Sequence, residues 1–353
     1  MDTILPGQHR SERTPDRRDR SPRLGRLARW SFRGLLSLLV LAVIGTALQA
    51  IAEARDGREH PAPGELVALP DGRSLHLVVD GEEHEGPVVV LETGMGGMTS
   101  AWGWIQPALA EQVTVVSYDR PGLGWSDPSP DGPDAEHVVA DLRAGLDALG
   151  LSGRGFVLAG HSLGGHYVRA FAQAHPDEVV GMVLVDPSHE RQAEAIDGYE
   201  VEQRRSRLLM RLLQVTSRIG LHRVFDPFAA AIADLPEPTR TQALVQQVRP
   251  AYFDAYLAEF AALDRIGADL AADDVDLGDL PLRVLVAGHS PTPAGRQAVE
   301  AAAALREQLA GLSTRGRTVV FDDAAHVTIV TQRQHAARVT AAILDVAAES
   351  RPG

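Results

Sequence analysis

The 353-residue chain contains no cysteine and no lysine, so all 34 of its basic side chains are arginines. Without cysteine neither a disulfide framework nor a thiolate metal centre can form. The redox compartment stays open, because extracytoplasmic domains of this size fold without bridges. Without lysine there is no Gly-rich loop ending in Lys to cradle a phosphate. No histidine pair has metal-ligand spacing, and Gly94-Met95-Gly96-Gly97 lacks the third glycine of a dinucleotide fingerprint, so neither metal nor cofactor is expected. Positive charge is scarce beyond the N-terminus: residues 1–33 are net +5, whereas the rest of the chain is net −18. An acidic body argues against a nucleic-acid partner, since neutralising phosphates supplies most of that affinity.

Residues 1–33 are rich in arginine and proline and lack apolar periodicity, which predicts a disordered basic tail. Residues 34–52, GLLSLLVLAVIGTALQAIA, are apolar on all sides. At ~1.5 Å per residue they nearly match a bilayer core, and a transmembrane helix is expected. The arginines ending at Arg33 would keep the tail cytoplasmic and place the main domain across the cell membrane as a single-pass protein. Ala50-Ile51-Ala52 offers an alternative, a small-residue cleavage site that would release a secreted domain. Residues 53–63 read as a linker of charge, proline and glycine.

From residue 64 to 353, strand and helix patterns alternate. Glu65–Ala68 and Ser74–Val79 flank a Pro70-Asp71-Gly72 turn and predict an antiparallel hairpin. Val88–Glu92, Val113–Tyr118, Phe156–Ala159, Val179–Val185, Leu282–Ala287 and Thr318–Phe321 predict buried strands. Helices are expected over 101–111, 135–149, 294–312 and 334–348, and this alternation implies a mostly parallel sheet covered on both faces. Between 187 and 280 it stops. Leu208, Leu209, Leu212, Leu213 and Ile219, then Phe253, Tyr256, Leu257, Phe260 and Leu263, recur at helical spacing and are expected mainly in a core, with a minority lining a pocket.

The stretch Gly155–Gly165, GFVLAGHSLGG, organises the rest. An apolar strand runs into Gly160-His161-Ser162-Leu163-Gly164, and a helix follows. A serine hydroxyl is a poor nucleophile near neutral pH; it needs a base, a fixed exposed position and donors for the oxyanion it generates. A sharp strand-to-helix turn supplies the position, and Gly160 and Gly164 let the backbone bend and the helix approach the strand. By itself the pentapeptide also fits a helix N-cap serine.

Four segments in order, the Gly94 loop after the third strand, Asp119–Ser126 after the fourth, GHSLGG at 160–165 after the fifth and Asp323-Ala324-Ala325-His326 after the last, resemble the α/β-hydrolase family from about residue 64 onward. The resemblance implies an eight-stranded, mostly parallel sheet with the site at the carboxyl ends of its strands. It also implies that residues 187–280, inserted after strand 6, form a helical cap. Ser162 becomes the nucleophile and His326 the general base, with Leu163 and Met95 supplying oxyanion-hole N–H groups; Thr93 stands where relatives carry histidine. The acid departs from the commoner pattern, because no carboxylate follows strand 7 in Ala287-Gly288-His289-Ser290-Pro291. Some relatives carry it after strand 6, where this chain has Asp186; Asp322 and Asp323 are the alternatives. Asp119–Ser126 is expected to support the Gly94 loop. His161 is expected to pack, His166, His189 and His289 to be structural or pocket wall, and Trp102 and Trp104 to be wall or core.

These readings predict a serine hydrolase acting on a small-molecule ester or related acyl substrate through an acyl-enzyme, with an acyltransferase as a close variant. A serine at 162 argues against the family's dehalogenases and epoxide hydrolases, whose covalent step uses a carboxylate. A non-catalytic ligand-binding or signalling protein on the same fold is the alternative.

Overall fold

Runs such as Val88-Val89-Val90-Leu91 and Phe156-Val157-Leu158-Ala159 offer no polar side to water, so they are stable as strands covered on both faces. In the computed structural model, which describes residues 22–272, 276–290 and 292–350, eight strands make one sheet. The start of the expected tail (1–21), insert residues 273–275 and Pro291 lie outside the described residues. The strands are β1 (Glu65–Ala68), β2 (Ser74–Asp80), β3 (Val88–Glu92), β4 (Val115–Asp119), β5 (Phe156–His161), β6 (Val179–Val185), β7 (Leu282–Ala287) and β8 (Gly316–Phe321). Their spatial order is β1-β2-β4-β3-β5-β6-β7-β8. The expected hairpin is present, β2 also pairs antiparallel with β4, and all other pairs are parallel.

The period of two along the strands divides the core. Val88 and Val90 face one apolar cluster, while Val89 and Leu91 face the other. Helices α1 (Pro22–Glu59), α2 (Ile105–Ala110), α3 (Ala135–Ala148) and α4 (Gly164–Ala174) precede β6. The segment between β6 and β7 holds α5 (Gln192–Ala195), α6 (Tyr199–Ser217), α7 (Thr239–Gln247) and α8 (Pro250–Ala272). After β7 come α9 (Pro293–Ala301), α10 (Ala303–Ala310), α11 (Thr328–Thr331) and α12 (Arg333–Glu349). Val138, Leu142 and Leu146 of α3, with Val168 and Phe171 of α4, cover one face of the sheet. Ile105 and Leu109 of α2, with Val339, Ile343 and Val346 of α12, cover the other.

The helix expected over 294–312 is two, α9 and α10, and three further elements differ from expectation. Gly103 interrupts the helix expected over 101–111, which is a short 3-10 turn at Thr99–Trp102 followed by α2. α1 is longer than the expected span and runs through 22–33 and 53–59, segments read as tail and linker. No proline occurs between Pro22 and Pro61, and Arg55 pairs with Glu59 one turn on, so nothing breaks the helix there. Part of α1, Arg29–Glu59, is long and apolar enough to cross a membrane. The third difference is in α6 and the residues just after it: Leu208, Leu209, Leu212 and Ile219 are exposed rather than in a core. α6 is apolar on two sides, and only the side bearing Met210 and Leu213 is turned inward.

Candidate active site

The carboxyl ends of β3, β5, β6 and β8 meet at one place, and the loops leaving them carry the side chains of interest. β5 ends at His161, and the chain reverses through Ser162 at φ 54° into α4. The left-handed conformation is costly for serine. It is held by Ser162 N–H donating to Val185 O at 3.1 Å and by Ser188 N–H donating to Ser162 O at 3.0 Å. The turn is possible because residue 164 has no side chain: a Cβ there would sit 2.5 Å from the Glu92 carbonyl oxygen.

Asp186, immediately after β6, has a φ of 40°. Its Oδ2 accepts from His326 Nδ1 at 2.6 Å, and Oδ1 accepts from Ala287 N–H at 3.1 Å and Arg306 Nη2 at 3.2 Å. Burial opposes its ionisation, but the His326 hydrogen bond and charge, together with Arg306, outweigh it and hold the carboxyl below the usual carboxylate range. On the far side of the imidazole, Ser162 Oγ donates to His326 Nε2 at 3.0 Å. With Asp186 fixing the proton on Nδ1, Nε2 is the free base facing the hydroxyl. Asp322 and Asp323 are exposed, Asp323 pairs with Arg338 at 2.8 Å, and the carboxylate hydrogen-bonded to His326 is that of Asp186.

Met95 and Leu163 border the same cavity, and among the described residues neither backbone N–H has an acceptor. The Thr93–Gly97 loop carrying Met95 is pinned from below by a buried cation. Arg120 Nη1 and Nη2 donate to the carbonyls of Thr93 (2.7 Å) and Gly94 (2.6 Å), and its Nε donates to Glu259 Oε1 at 2.6 Å. Glu259, from α8, in turn accepts from Gly96 N–H at 2.7 Å. Burial opposes the Arg120 charge, and Glu259 and Glu92 outweigh it, raising its pKa well above the arginine norm. Asp119 accepts from Thr99 N–H at 2.8 Å and from His76 Nδ1 at 2.7 Å. The segment expected to support the Gly94 loop thus contacts it directly.

The His161 and His326 rings lie against each other at a 33° tilt with centroids 4.9 Å apart, and His161 Nε2 donates to the His326 carbonyl at 2.9 Å. Burial and the neighbouring His326 push His161 down to about 3, so it is a neutral brace for the loop rather than a second base. His166 is buried and held neutral at about 3, chiefly by desolvation, while His289 is exposed and does not border the cavity. Trp102 is core, and Trp104 donates to Asp234 O at 2.8 Å. Sequence reading missed Arg306 and Glu259, because no local pattern marks a residue that reaches the site from a distant helix.

The cavity over Ser162 measures about 510 Å³. Phe228, Ile232, Leu235, Tyr256, Phe260 and Leu263 give it an apolar wall drawn from the β6–β7 insert. Among the described residues no three His, Asp or Glu side chains converge as metal ligands would. A paired hydroxyl and imidazole, a carboxylate behind it, two free backbone donors and an apolar wall are equipped for acyl transfer to serine.

The profile of the Alpha/beta hydrolase family matches residues 88–342, and the chain belongs to that family. Over 101 residues it is 38% identical to the "Putative carbamate hydrolase RutD" of Caulobacter segnis, covering 28% of this chain and 37% of that protein. It is 28% identical over 127 residues to the human (Lyso)-N-acylphosphatidylethanolamine lipase, covering 34% of this chain and 36% of the lipase. The chain thus spans little more than a third of these relatives' length. Among solved structures, the enol-lactonase of Burkholderia xenovorans LB400 superposes with a TM-score of 0.56 at 22% identity, over 80% of this chain and 99% of the lactonase. That likeness is one of fold. Both named relatives are described as hydrolases.

Proposed function

We propose that the protein is a serine hydrolase acting on an ester or related acyl substrate through Ser162, His326 and Asp186. The observation that carries the reading is the relay from Ser162 Oγ to His326 (3.0 Å) and from His326 to Asp186 (2.6 Å). Ser162 Oγ bonds to the acyl carbon as its proton passes to His326 Nε2, and the carbonyl oxygen becomes an oxyanion facing the Met95 and Leu163 N–H groups. Collapse breaks the bond to the leaving oxygen, which takes the proton from His326. Water then adds to the acyl-enzyme, giving its proton to His326; the acid leaves and the proton returns to Ser162 Oγ. Asp186 holds the imidazole and stabilises its cation throughout. Carbon, oxygen and proton all balance without a cofactor.

The insert between β6 and β7 acts in this reading as the cap, with its aromatic wall taking the acyl or alkyl part of the substrate. Residues 34–52 anchor the enzyme in the cell membrane, with the basic N-terminal segment cytoplasmic and the hydrolase domain outside. Retention of the full-length chain in membranes distinguishes this from release by cleavage near Ala52. Hydrolysis of p-nitrophenyl esters tests the chemistry: Ser162→Ala should lower kcat by roughly 10⁴-fold or more while the protein stays folded. Unchanged turnover in that variant on every acyl substrate would overturn the reading.

A further inference from the structure

Helix α6 is used on one side only. Tyr199, Gln203 and Ser206 border the cavity, and Met210 and Leu213 pack inward. On the outer side Val201, Leu208, Leu212, Val215 and, just past the helix end, Ile219 recur at the spacing of a single helical stripe and are 40–70% exposed. Leu221, Val224 and Phe225 extend the patch, the last two 72% exposed. A soluble surface seldom leaves such a stretch uncovered.

This edge is where α1 docks. A Cβ on Gly45 would lie 2.6 Å from the Ile219 carbonyl oxygen. Gln49 is buried, donates to Val248 O at 3.3 Å and accepts from Arg223 Nε at 2.7 Å; Arg223 also pairs with Asp56 at 2.7 Å. Between Arg33 and Glu53 there is no charged residue. That length of helix is about 29 Å, close to the ~30 Å of a hydrocarbon core. Gly45 falls about 12 Å short of Glu53, inside the apolar length. Ile219, which touches it, therefore sits at membrane depth whenever α1 spans, while the Asp56–Arg223 pair sits above. Charge agrees with this placement: residues 199–225 carry six arginines against two acids on a body that is net −18. Among the described residues Arg211 has no acidic partner.

We propose that the outer face of α6, with the turn through Phe225, seats in the lipid leaflet that α1 enters, a surface fitted to a bilayer containing anionic lipid. One wall of the cavity is then a helix lying in the membrane, and acyl esters dissolved in the leaflet are about one helix diameter, ~10 Å, from the pocket. The inference rests on α1 as a span and, for its substrate, on Ser162 as nucleophile.

A cysteine-free chain permits a direct test. Full-length protein carrying one of Leu38→Cys, Leu212→Cys, Phe225→Cys or Asp147→Cys is labelled with an environment-sensitive dye. It is then reconstituted into phosphatidylcholine–phosphatidylglycerol vesicles containing nitroxide-labelled lipid. Asp147 lies in the last turn of α3, which leads into the start of β5, the end of that strand away from Ser162. Dyes at 38, 212 and 225 should be quenched and the dye at 147 should not. Quenching at 38 with 212 and 225 behaving like 147 overturns the proposal and leaves the span intact; no quenching at 38 removes the span and the proposal together. As a second arm, Leu208→Ser/Leu212→Ser/Val215→Ser should lower hydrolysis of a long-chain ester embedded in vesicles by on the order of tenfold. A soluble short-chain ester should be turned over as before. Equal loss on both esters, or on neither, contradicts the proposal, whereas an inactive wild type contradicts the hydrolase reading and leaves the quenching result standing.

Discussion

Ser162 and Asp186 are the two non-glycine residues with positive φ among those described, at 54° and 40°, and each begins the loop leaving its strand. Holding two side chains in a costly conformation is worthwhile where their aim matters. Asp186→Asn keeps the shape but favours the wrong imidazole tautomer, so kcat should fall by roughly 10³–10⁴-fold with KM little changed. A steady-state comparison at neutral pH checks this. Two other histidines set a pH dependence of stability. His161 and His166 are held neutral in the fold at about 3, by burial first, and regain an ordinary value near 6.5 when unfolded. Their folded pKa lies below the unfolded one, so their contribution is complete above about 6.5 and is lost as pH falls, by up to ~1.4 kcal/mol per pH unit for each group. Urea unfolding between pH 6.5 and 4.5 should show that slope, to which His189, likewise lowered by burial, adds in the same direction, and His166→Gln should reduce it by less than half. This window lies above the range in which Asp186, whose folded pKa is depressed, gives up its own contribution. The pairing of Ser162 and His326 was legible because each sits at a recognisable place in the strand order. The bracing of His326 by His161 was not, since adjacency to the serine says nothing of where the imidazole points.

At the scale of elements, α8 reaches across the site and joins the Thr93–Gly97 loop to the core through Glu259 and Arg120, both essentially without solvent exposure. Replacing Glu259 leaves Arg120 paired with Glu92 but takes the carboxylate away from Arg120 Nε and Gly96 N–H, and losing such hydrogen bonds to a charged group costs about 1.5–3 kcal/mol. Glu259→Gln should therefore lower stability by that order. It should also loosen the loop bearing Met95, with kcat falling roughly tenfold or more and KM changing less. Denaturant titration and kinetics on the same preparation separate the two effects. Strands were legible almost residue by residue, because continuous Val and Leu runs have one stable use in a parallel sheet. The faces of α6 were not, since helical periodicity shows that a helix has an apolar side without saying what lies against it.

The whole molecule has a direction. The loops at the carboxyl ends of the strands meet at Ser162, and the helices of the β6–β7 insert wall the cavity there. Those helices contact α1, and beyond that contact α1 is apolar and exposed, with Leu35, Leu38, Leu41 and Val43 each more than 60% accessible. Sequence anticipated the apolar segment by its composition. It did not anticipate that α1 would dock through Gly45, Gln49 and Asp56, because that contact depends on a partner surface far along the chain. Activation of the Ser162 hydroxyl is read by fluorophosphonate labelling of the full-length protein with the modified peptide identified by mass spectrometry. A single adduct on Ser162 is expected, absent in Ser162→Ala and formed far more slowly in Asp186→Asn. A folded wild-type protein that takes no label, or takes it at another residue, would contradict that activation.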